Sequence, residues 1–294
     1  AFIAQTKYAD KIKTAVTIHN AGPYYHHEYA SLEDAKFYTD LPDSILKESM
    51  NGKRVEPFLI AANSGANLLT VSKDYAKELK DSSNVENTDG LSKLFNEKNI
   101  KIKGITNGFD FERYNPSDTS FSKLPFAFNP ETGDLDGKYK IRQFFIDNVI
   151  NSENFPCDGI KKYGSLSINK GGRERYIAYH GRITSQKGIS ILTEAIPTII
   201  KQNDSVRFVI AGQGEPRLEN EIEELTKVFP GKIVYLHGYN QAVVRMAIAA
   251  CDFIALPSYF EPCGLEDFIA QTFATLPVAH KTGGLNKILN NKSG

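Results

Sequence analysis

Phe253-Ile254-Ala255-Leu256, Tyr259-Phe260-Glu261-Pro262-Cys263-Gly264-Leu265, a helix-length run to Phe273, Val278-Ala279 and Lys281-Thr282-Gly283-Gly284-Leu285 follow one another along the chain. The first four residues are an apolar strand, and the run 264–273 is expected to be a helix leading to a second strand. Each strand ends in a glycine-bearing loop. In open α/β sheets, ligands bind just beyond the carboxyl ends of the strands. Glycines there let the backbone approach a sugar or phosphate closely. A plain strand-to-helix turn would account for Glu261 alone, but two such loops in succession argue for a ligand site.

The residues before this unit repeat its alternation. Tyr176-Ile177-Ala178-Tyr179 is a strand, and Gly188 opens a helix with Ile189, Leu192, Ile196 and Ile199 on one face. Strand 208–211 leads through Gly212-Gln213-Gly214 into an amphipathic helix over 216–229, stopped by Pro230-Gly231. Strand 233–236 and helix 241–250 then precede Phe253. Strands alternating with helices imply a parallel sheet with right-handed crossovers. The first half is less regular: strands are expected at 15–18, 66–71 and 102–105, with a helix over 73–80 capped by Ser72. The stretch 114–136 reads as loop, 138–150 as helix and 151–175, with Gly171-Gly172, as an interdomain connector. The expected division is therefore 1–172 and 173–294.

At 294 residues the length suits about two domains. Lys plus Arg and Asp plus Glu both total 35, and this balance gives no support for nucleic acid or an acidic membrane surface as partner. Cys157, Cys251 and Cys263 are too few and scattered for a disulfide framework or zinc site, which favours a reducing compartment. No apolar run reaches membrane-spanning length and no signal-like segment is present. The start at Ala1-Phe2 and the end at Asn290-Asn291-Lys292-Ser293-Gly294 suggest a fragment of something longer.

Four constellations carry chemistry. Gly181-Arg182 and Lys187-Gly188 sit at the mouth of a helix, where two cations suit a diphosphate; a solvated basic loop is the rival reading. Glu261 with the amides of Cys263, Gly264 and Leu265 suits a ring of hydroxyls, while Cys263 lacks a basic partner nearby and reads as packing. His19-Asn20 closes the strand at 15–18, although a lone His there is more often structural, and His26-His27 read as surface residues. Asn107 and Asp110 flank a turn that can line the same crevice. Tyr239, after Gly238, can stack on a base or pack as an ordinary half-buried aromatic.

The order of Thr17-Ile18-His19-Asn20, Thr70-Val71-Ser72-Lys73-Asp74-Tyr75-Ala76, Gly104-Ile105-Thr106-Asn107-Gly108-Phe109-Asp110, Gly181-Arg182-Ile183-Thr184-Ser185-Gln186-Lys187-Gly188, 260–265 and Thr282-Gly283-Gly284-Leu285 resembles the bacterial glycogen synthases and plant starch synthases. The resemblance implies an α/β GT-B fold, two Rossmann-like parallel-sheet domains facing a cleft, here with the first domain incomplete and the end of the second truncated. It implies transfer of glucose from ADP-glucose to an α-1,4-glucan with retention and no metal or other cofactor, in the cytoplasm or a plastid. ADP- and UDP-glucose are not told apart, and the oligomeric state is left open.

By the same resemblance, Arg182 and Lys187 neutralise the diphosphate, and Glu261 with Cys263, Gly264 and Leu265 grips the glucose. Tyr239 approaches the adenine, Thr282, Gly283 and Gly284 seat the phosphates, and the His19 carbonyl supports the transition state. The chain departs from the family pattern in lacking the amino-terminal Lys-x-Gly-Gly-Leu loop. It also has Ala21-Gly22-Pro23-Tyr24-Tyr25 after Asn20, His280 before Lys281 and Glu266-Asp267 after Leu265. Those two acids are expected close to an anionic donor. A catalytically degenerate glucan-binding or regulatory homologue is the alternative, as is a retaining GT-B transferase using another sugar; Ile269, where many of the latter carry a second Glu, argues against that last reading.

Overall fold

The computed structural model describes residues 1–23, 25, 27–152, 158–168, 174–288, 292 and 294. The expectations placed on Tyr24, His26, Cys157, Gly171-Gly172, Asn290-Asn291 and Ser293 lie outside the described residues. The chain divides into two compact units, Ala1–Asn107 and Gly108–Gly294.

The first unit holds β1 (Ala15–Ile18), a small hairpin of β2 (Met50–Asn51) and β3 (Arg54–Val55), β4 (Asn67–Thr70) and β5 (Ile102–Gly104). Strands β1, β4 and β5 form a parallel sheet in the order β1-β4-β5, in register at Ile18↔Thr70 and Thr70↔Gly104. Helix Lys73–Glu78 begins where expected because the Ser72 side chain accepts a hydrogen bond from the Tyr75 amide. Helices Leu32–Thr39, Asp43–Glu48, Pro57–Asn63 and Leu91–Glu97 are additions that the sequence reading did not place.

The second unit is built on six strands: β6 (Ile160–Gly164), β7 (Arg175–His180), β8 (Val206–Gly212), β9 (Ile233–Gly238), β10 (Phe253–Leu256) and β11 (Leu276–Ala279). Their order is β11-β10-β7-β8-β9-β6, parallel except for β6, which runs antiparallel to β9. Strand β8 is buried along its whole length, as suits the middle of a parallel sheet covered on both faces. Its side chains alternate between two cores. Phe208 and Ile210 pack with Ile189, Ile196, Leu218 and Ile222, whereas Val209 and Ala211 pack with Val243, Ala247 and Ala270.

Two findings differ from the sequence reading. The segment read as a connector contributes β6 to the sheet. The division at 172/173 also falls inside the second unit, because helix Asp136–Phe144, which continues as a π-helix to Ile150, is fastened there. Lys138, 3% exposed, donates to the Ala249, Cys251 and Phe273 carbonyls and to Thr275 Oγ1 at 2.7–2.9 Å. Arg142 donates to the Ala250 carbonyl and to Asp252 Oδ1, both at 2.6 Å. Burial pushes the Lys138 ammonium down to about 7 and the neighbouring Cys251 thiol up to about 12. No described helix is long and apolar enough to cross a membrane.

Candidate active site

In the second unit, β7 neighbours both β8 and β10, so strand order reverses beside it. Such a reversal opens a crevice at the carboxyl ends of the strands. Every site residue expected in 182–284 follows one of these ends: Arg182 and Lys187 after β7, Tyr239 after β9, Glu261 to Leu265 after β10, and Thr282 to Gly284 after β11.

The loops after β7 and β10 are locked together. Gly188 has φ +69°, and a Cβ there would lie 2.1 Å from the Pro257 carbonyl oxygen, so no other residue fits. The Tyr259 amide donates to the Gln186 carbonyl at 3.0 Å, and Gln186 Nε2 returns a bond to the Phe260 carbonyl at 3.1 Å. Across this seam, Lys187 Nζ meets Glu261 Oε2 at 2.6 Å, and Ser258 Oγ donates to the same oxygen at 3.0 Å. Thus 74 residues of sequence separation close into one ion pair.

Arg182 is exposed, and its backbone carbonyl accepts from the Tyr179 hydroxyl at 2.8 Å. Burial raises the Tyr179 pKa; the charges of Glu261 and Glu266 raise it further, and that of Arg182 opposes them. Arg182, Glu261 and Glu266 thus all act on a single phenol at the end of β7.

The loop after β11 packs on the loop after β10. The Gly284 amide donates to the Glu261 carbonyl at 2.7 Å, and a Cβ on Gly284 would lie 2.0 Å from the Cys263 oxygen. Thr282 Oγ1 donates to the Tyr259 carbonyl at 3.2 Å, and His280 Nδ1 lies 2.9 Å from the Ser258 carbonyl oxygen. Lys287 ties the two loops by donating to the carbonyls of Cys263, Gly264 and Gly284 at 2.8–3.1 Å. Cys263 is buried, as the packing reading expects, and Leu265 is partly exposed.

The two acids after Leu265 sit differently from the expectation that both lie near an anionic donor. Asp267 is fully buried and lies 3.0 Å from Lys287 Nζ, and burial raises its pKa. Its charge is spent on the loop clamp. Glu266 turns toward β7, where its Oε2 lies 3.0 Å from His180 Nδ1. Sequence reasoning missed His180 and Lys287, since neither belongs to a recognisable spacing. Tyr239 is 60% exposed, with its ring 6.4 Å from that of His180.

His19, Asn20 and Asn107 belong to the first unit, at the carboxyl ends of β1 and β5. Asn20 Oδ1 accepts from the Gly22 amide at 2.8 Å, and the Tyr75 hydroxyl accepts from the Ala21 amide at 2.8 Å, fixing the loop behind His19. The Asn107 amide donates to the Val71 carbonyl at 3.3 Å. Asp110, in the second unit, caps helix Phe111–Tyr114 by accepting from the Arg113 amide. Among the described residues, no three His, Cys, Asp or Glu side chains are grouped to hold a metal ion.

Comparison with known proteins agrees with this architecture. Residues 174–294 match the family described as Glycosyl transferases group 1. The chain is 28% identical over 289 residues to a glycogen synthase of Thermodesulfovibrio yellowstonii, covering 96% of this chain and 51% of that protein. It is 32% identical over 216 residues to a glycogen synthase of Lacticaseibacillus casei, covering 74% of this chain and 40% of the relative. Among solved structures, it is similar to the catalytic domain of starch synthase IV from Arabidopsis thaliana, bound to ADP and acarbose. That likeness has a TM-score of 0.78 and 26% identity, and it covers 99% of this chain and 56% of the other. The chain therefore spans about half the length of the curated relatives it matches. By motif order, parallel-sheet architecture and these likenesses together, the chain is a homologue of the glycogen and starch synthases with a GT-B fold, and its residues 174–294 match the group 1 glycosyl transferases.

Proposed function

We propose that this chain takes part in extending an α-1,4-glucan with glucose from ADP-glucose, with retention of configuration, and that its second unit holds the donor. The observation that carries this is the Lys187–Glu261 pair, formed where the loops after β7 and β10 meet at the reversal of strand order. A cation suited to phosphate and a carboxylate suited to sugar hydroxyls stand side by side, as a nucleotide sugar requires.

In this reading the ion pair is the resting arrangement. When the donor enters, Lys187 exchanges Glu261 for a diphosphate oxygen, and Glu261 turns to the glucose hydroxyls. Arg182 and Lys187 then counter the charge that grows on the leaving diphosphate, the kind of fixed charge worth a few kcal/mol of barrier. The amides around Cys263 to Leu265 and Thr282 to Gly284 hold the sugar and phosphates. Tyr239 stacks on the adenine. The starch synthase IV domain to which the chain is similar binds ADP and acarbose, which supports an adenine donor and an oligosaccharide acceptor. Such a protein works where both occur, in the cytoplasm or a plastid.

The test is incorporation of labelled glucose from ADP-glucose, and separately UDP-glucose, into glycogen. Incorporation from ADP-glucose that is lost in Lys187→Gln supports the proposal. A chain that neither transfers glucose nor binds ADP-glucose by calorimetry refutes it.

A further inference from the structure

The second unit holds a pocket of about 530 Å³, within the roughly 300–1,000 Å³ usual for small-ligand sites. It lies between loops 115–117 and 129–131 on one side and helix Glu266–Thr272 on the other. The two loops are joined: Ser117 Oγ donates to the Phe128 carbonyl at 3.1 Å, and the Phe128 amide donates to the Pro116 carbonyl at 3.2 Å. Gln271 and Thr272 supply the helical wall, roughly 8 Å along the axis from Glu266. The pocket shares no residue with the Lys187–Glu261 seam.

Three aromatic rings and three amides make most of its walls. The Phe109 and Phe268 rings lie 5.9 Å apart, and Phe109 also stacks on Tyr114 at 5.2 Å. Lys287 Nζ, bound to three carbonyls of the loops after β10 and β11, lies 4.7 Å from the Phe268 centroid and fixes that ring further. The third ring, Phe111, is 46% exposed. Each amide is committed at one end only. Asn115 Oδ1 accepts from the Ser117 amide and Asn129 Oδ1 from the Glu131 amide, both at 3.0 Å, while Gln271 Nε2 donates to the Asp267 carbonyl at 3.1 Å. Two donors, Asn115 Nδ2 and Asn129 Nδ2, and one acceptor, Gln271 Oε1, have no partner among the described residues.

The chemistry of the walls selects the ligand. Among the described residues no Lys, Arg or His lines the pocket, so nothing there neutralises a phosphate. The one charged wall residue, Glu131, is exposed and, when ionised, only accepts hydrogen bonds. A wholly apolar ligand would leave the amides desolvated and unpaired. A pyranose meets both demands, because its C–H faces lie on aromatic rings and each of its hydroxyls both donates and accepts. We propose that this pocket is a second carbohydrate site, which holds a short segment of neutral α-1,4-glucan against the Phe109, Phe111 and Phe268 rings with its hydroxyls bonded to Asn115, Asn129 and Gln271. That the sugar is neutral follows from the walls; that it is an α-glucan rests on the function proposed above. A glucan held there stays at raised local concentration, so its free ends meet the transfer site more often.

The test is hydrogen exchange of the full chain, followed along the sequence while maltoheptaose or ADP is added. Maltoheptaose should slow exchange in 109–117 and 128–133, where ADP alone has no effect, and ADP should slow it in 182–188 and 261–265. The maltoheptaose concentration giving half of the protection at 109–117 should rise about three- to tenfold in Phe111→Ala and in Gln271→Ala, through loss of one stacking contact or one hydrogen bond. The ADP concentration giving half of its own protection should stay the same in both variants. No maltoheptaose protection at 109–117 and 128–133 overturns the inference, and so does protection whose midpoint neither variant moves. The map on the unaltered chain decides the matter even if both variants fail to fold. A chain that binds ADP and incorporates glucose without protection at this pocket sinks this inference alone, whereas one that binds neither ADP nor maltoheptaose sinks the proposed function with it.

Discussion

Replacing Lys138 with Met keeps the length of the side chain and removes the ammonium. Its Nζ serves the carbonyls of Ala249, Cys251 and Phe273 and the Thr275 hydroxyl. Thr275 Oγ1 also reaches the carbonyls of Ile248, Cys251 and Phe273, but a hydroxyl has one proton and can answer only one of them. About two buried carbonyls are then left without a donor, each costing about 1–3 kcal/mol. Removing a buried charge returns part of its desolvation penalty. The net expectation is a loss of about 2–4 kcal/mol, measured by urea unfolding of the full chain followed by circular dichroism. The pH dependence gives a second reading. With the folded pKa pushed down to about 7 and the unfolded value near the ordinary one, the unfolded chain binds more protons between those two values. The Lys138 contribution therefore makes stability rise with pH from about 7 upward, and the advantage of wild type over Lys138→Met should grow as pH rises across that window. A variant within about 0.5 kcal/mol of wild type at every pH would refute the view that this lysine fastens helix Asp136–Phe144 to the second unit.

Three further outcomes are expected. Lys187→Gln and Glu261→Gln should each lower kcat for glucan extension by about a hundredfold or more while shifting Tm only slightly, since the pair is partly solvated; steady-state incorporation and a thermal melt separate the two effects. Gly284→Ala drives a Cβ to 2.0 Å from the Cys263 oxygen, so it should cost about 1–3 kcal/mol in unfolding experiments and weaken ADP binding by moving the loop after β11. Ser72→Ala removes the acceptor for the Tyr75 amide and should cost about 1 kcal/mol, visible as a lower urea midpoint of the first unit with little effect on ADP binding.

Much of this fold is legible in the sequence because periodicity and short-range chemistry dictate it. Strands Ala15–Ile18 and Phe253–Leu256 and helix Gln241–Ala250 stand at the expected positions, and Ser72 caps the helix it was expected to cap. What stayed hidden depends on tertiary partners. Strand β6 reads as linker because Lys161 and Lys162 interrupt its apolar residues, as is usual on an edge strand. Lys138 stands in a helix the sequence places, and only the carbonyls gathered from 249, 251 and 273 make it a buried staple. The glycine loops announced a ligand site. They did not announce that Lys187 and Glu261 pair with each other, because that contact depends on β7 and β10 being neighbours.

The same adjacency explains why Glu266-Asp267 looked hostile to an anionic donor when read along the chain. On a helix beginning at Glu266, consecutive side chains point about 100° apart, so two adjacent acids need not face one ligand. Asp267 turns inward to Lys287, where its charge balances an ammonium that already binds three carbonyls of the loops after β10 and β11. Glu266 turns toward His180 and away from that clamp. A negative charge that strengthens loop packing and another set beside His180 leave the Lys187–Glu261 pair on the neighbouring loops untouched. Replacing both acids with their amides separates these roles. Asp267→Asn leaves Lys287 without its counter-charge and should lower Tm, whereas Glu266→Gln should leave Tm nearly unchanged and alter nucleotide binding. Equal effects of the two substitutions on both measurements would show that the acids act as one patch, contrary to their placement.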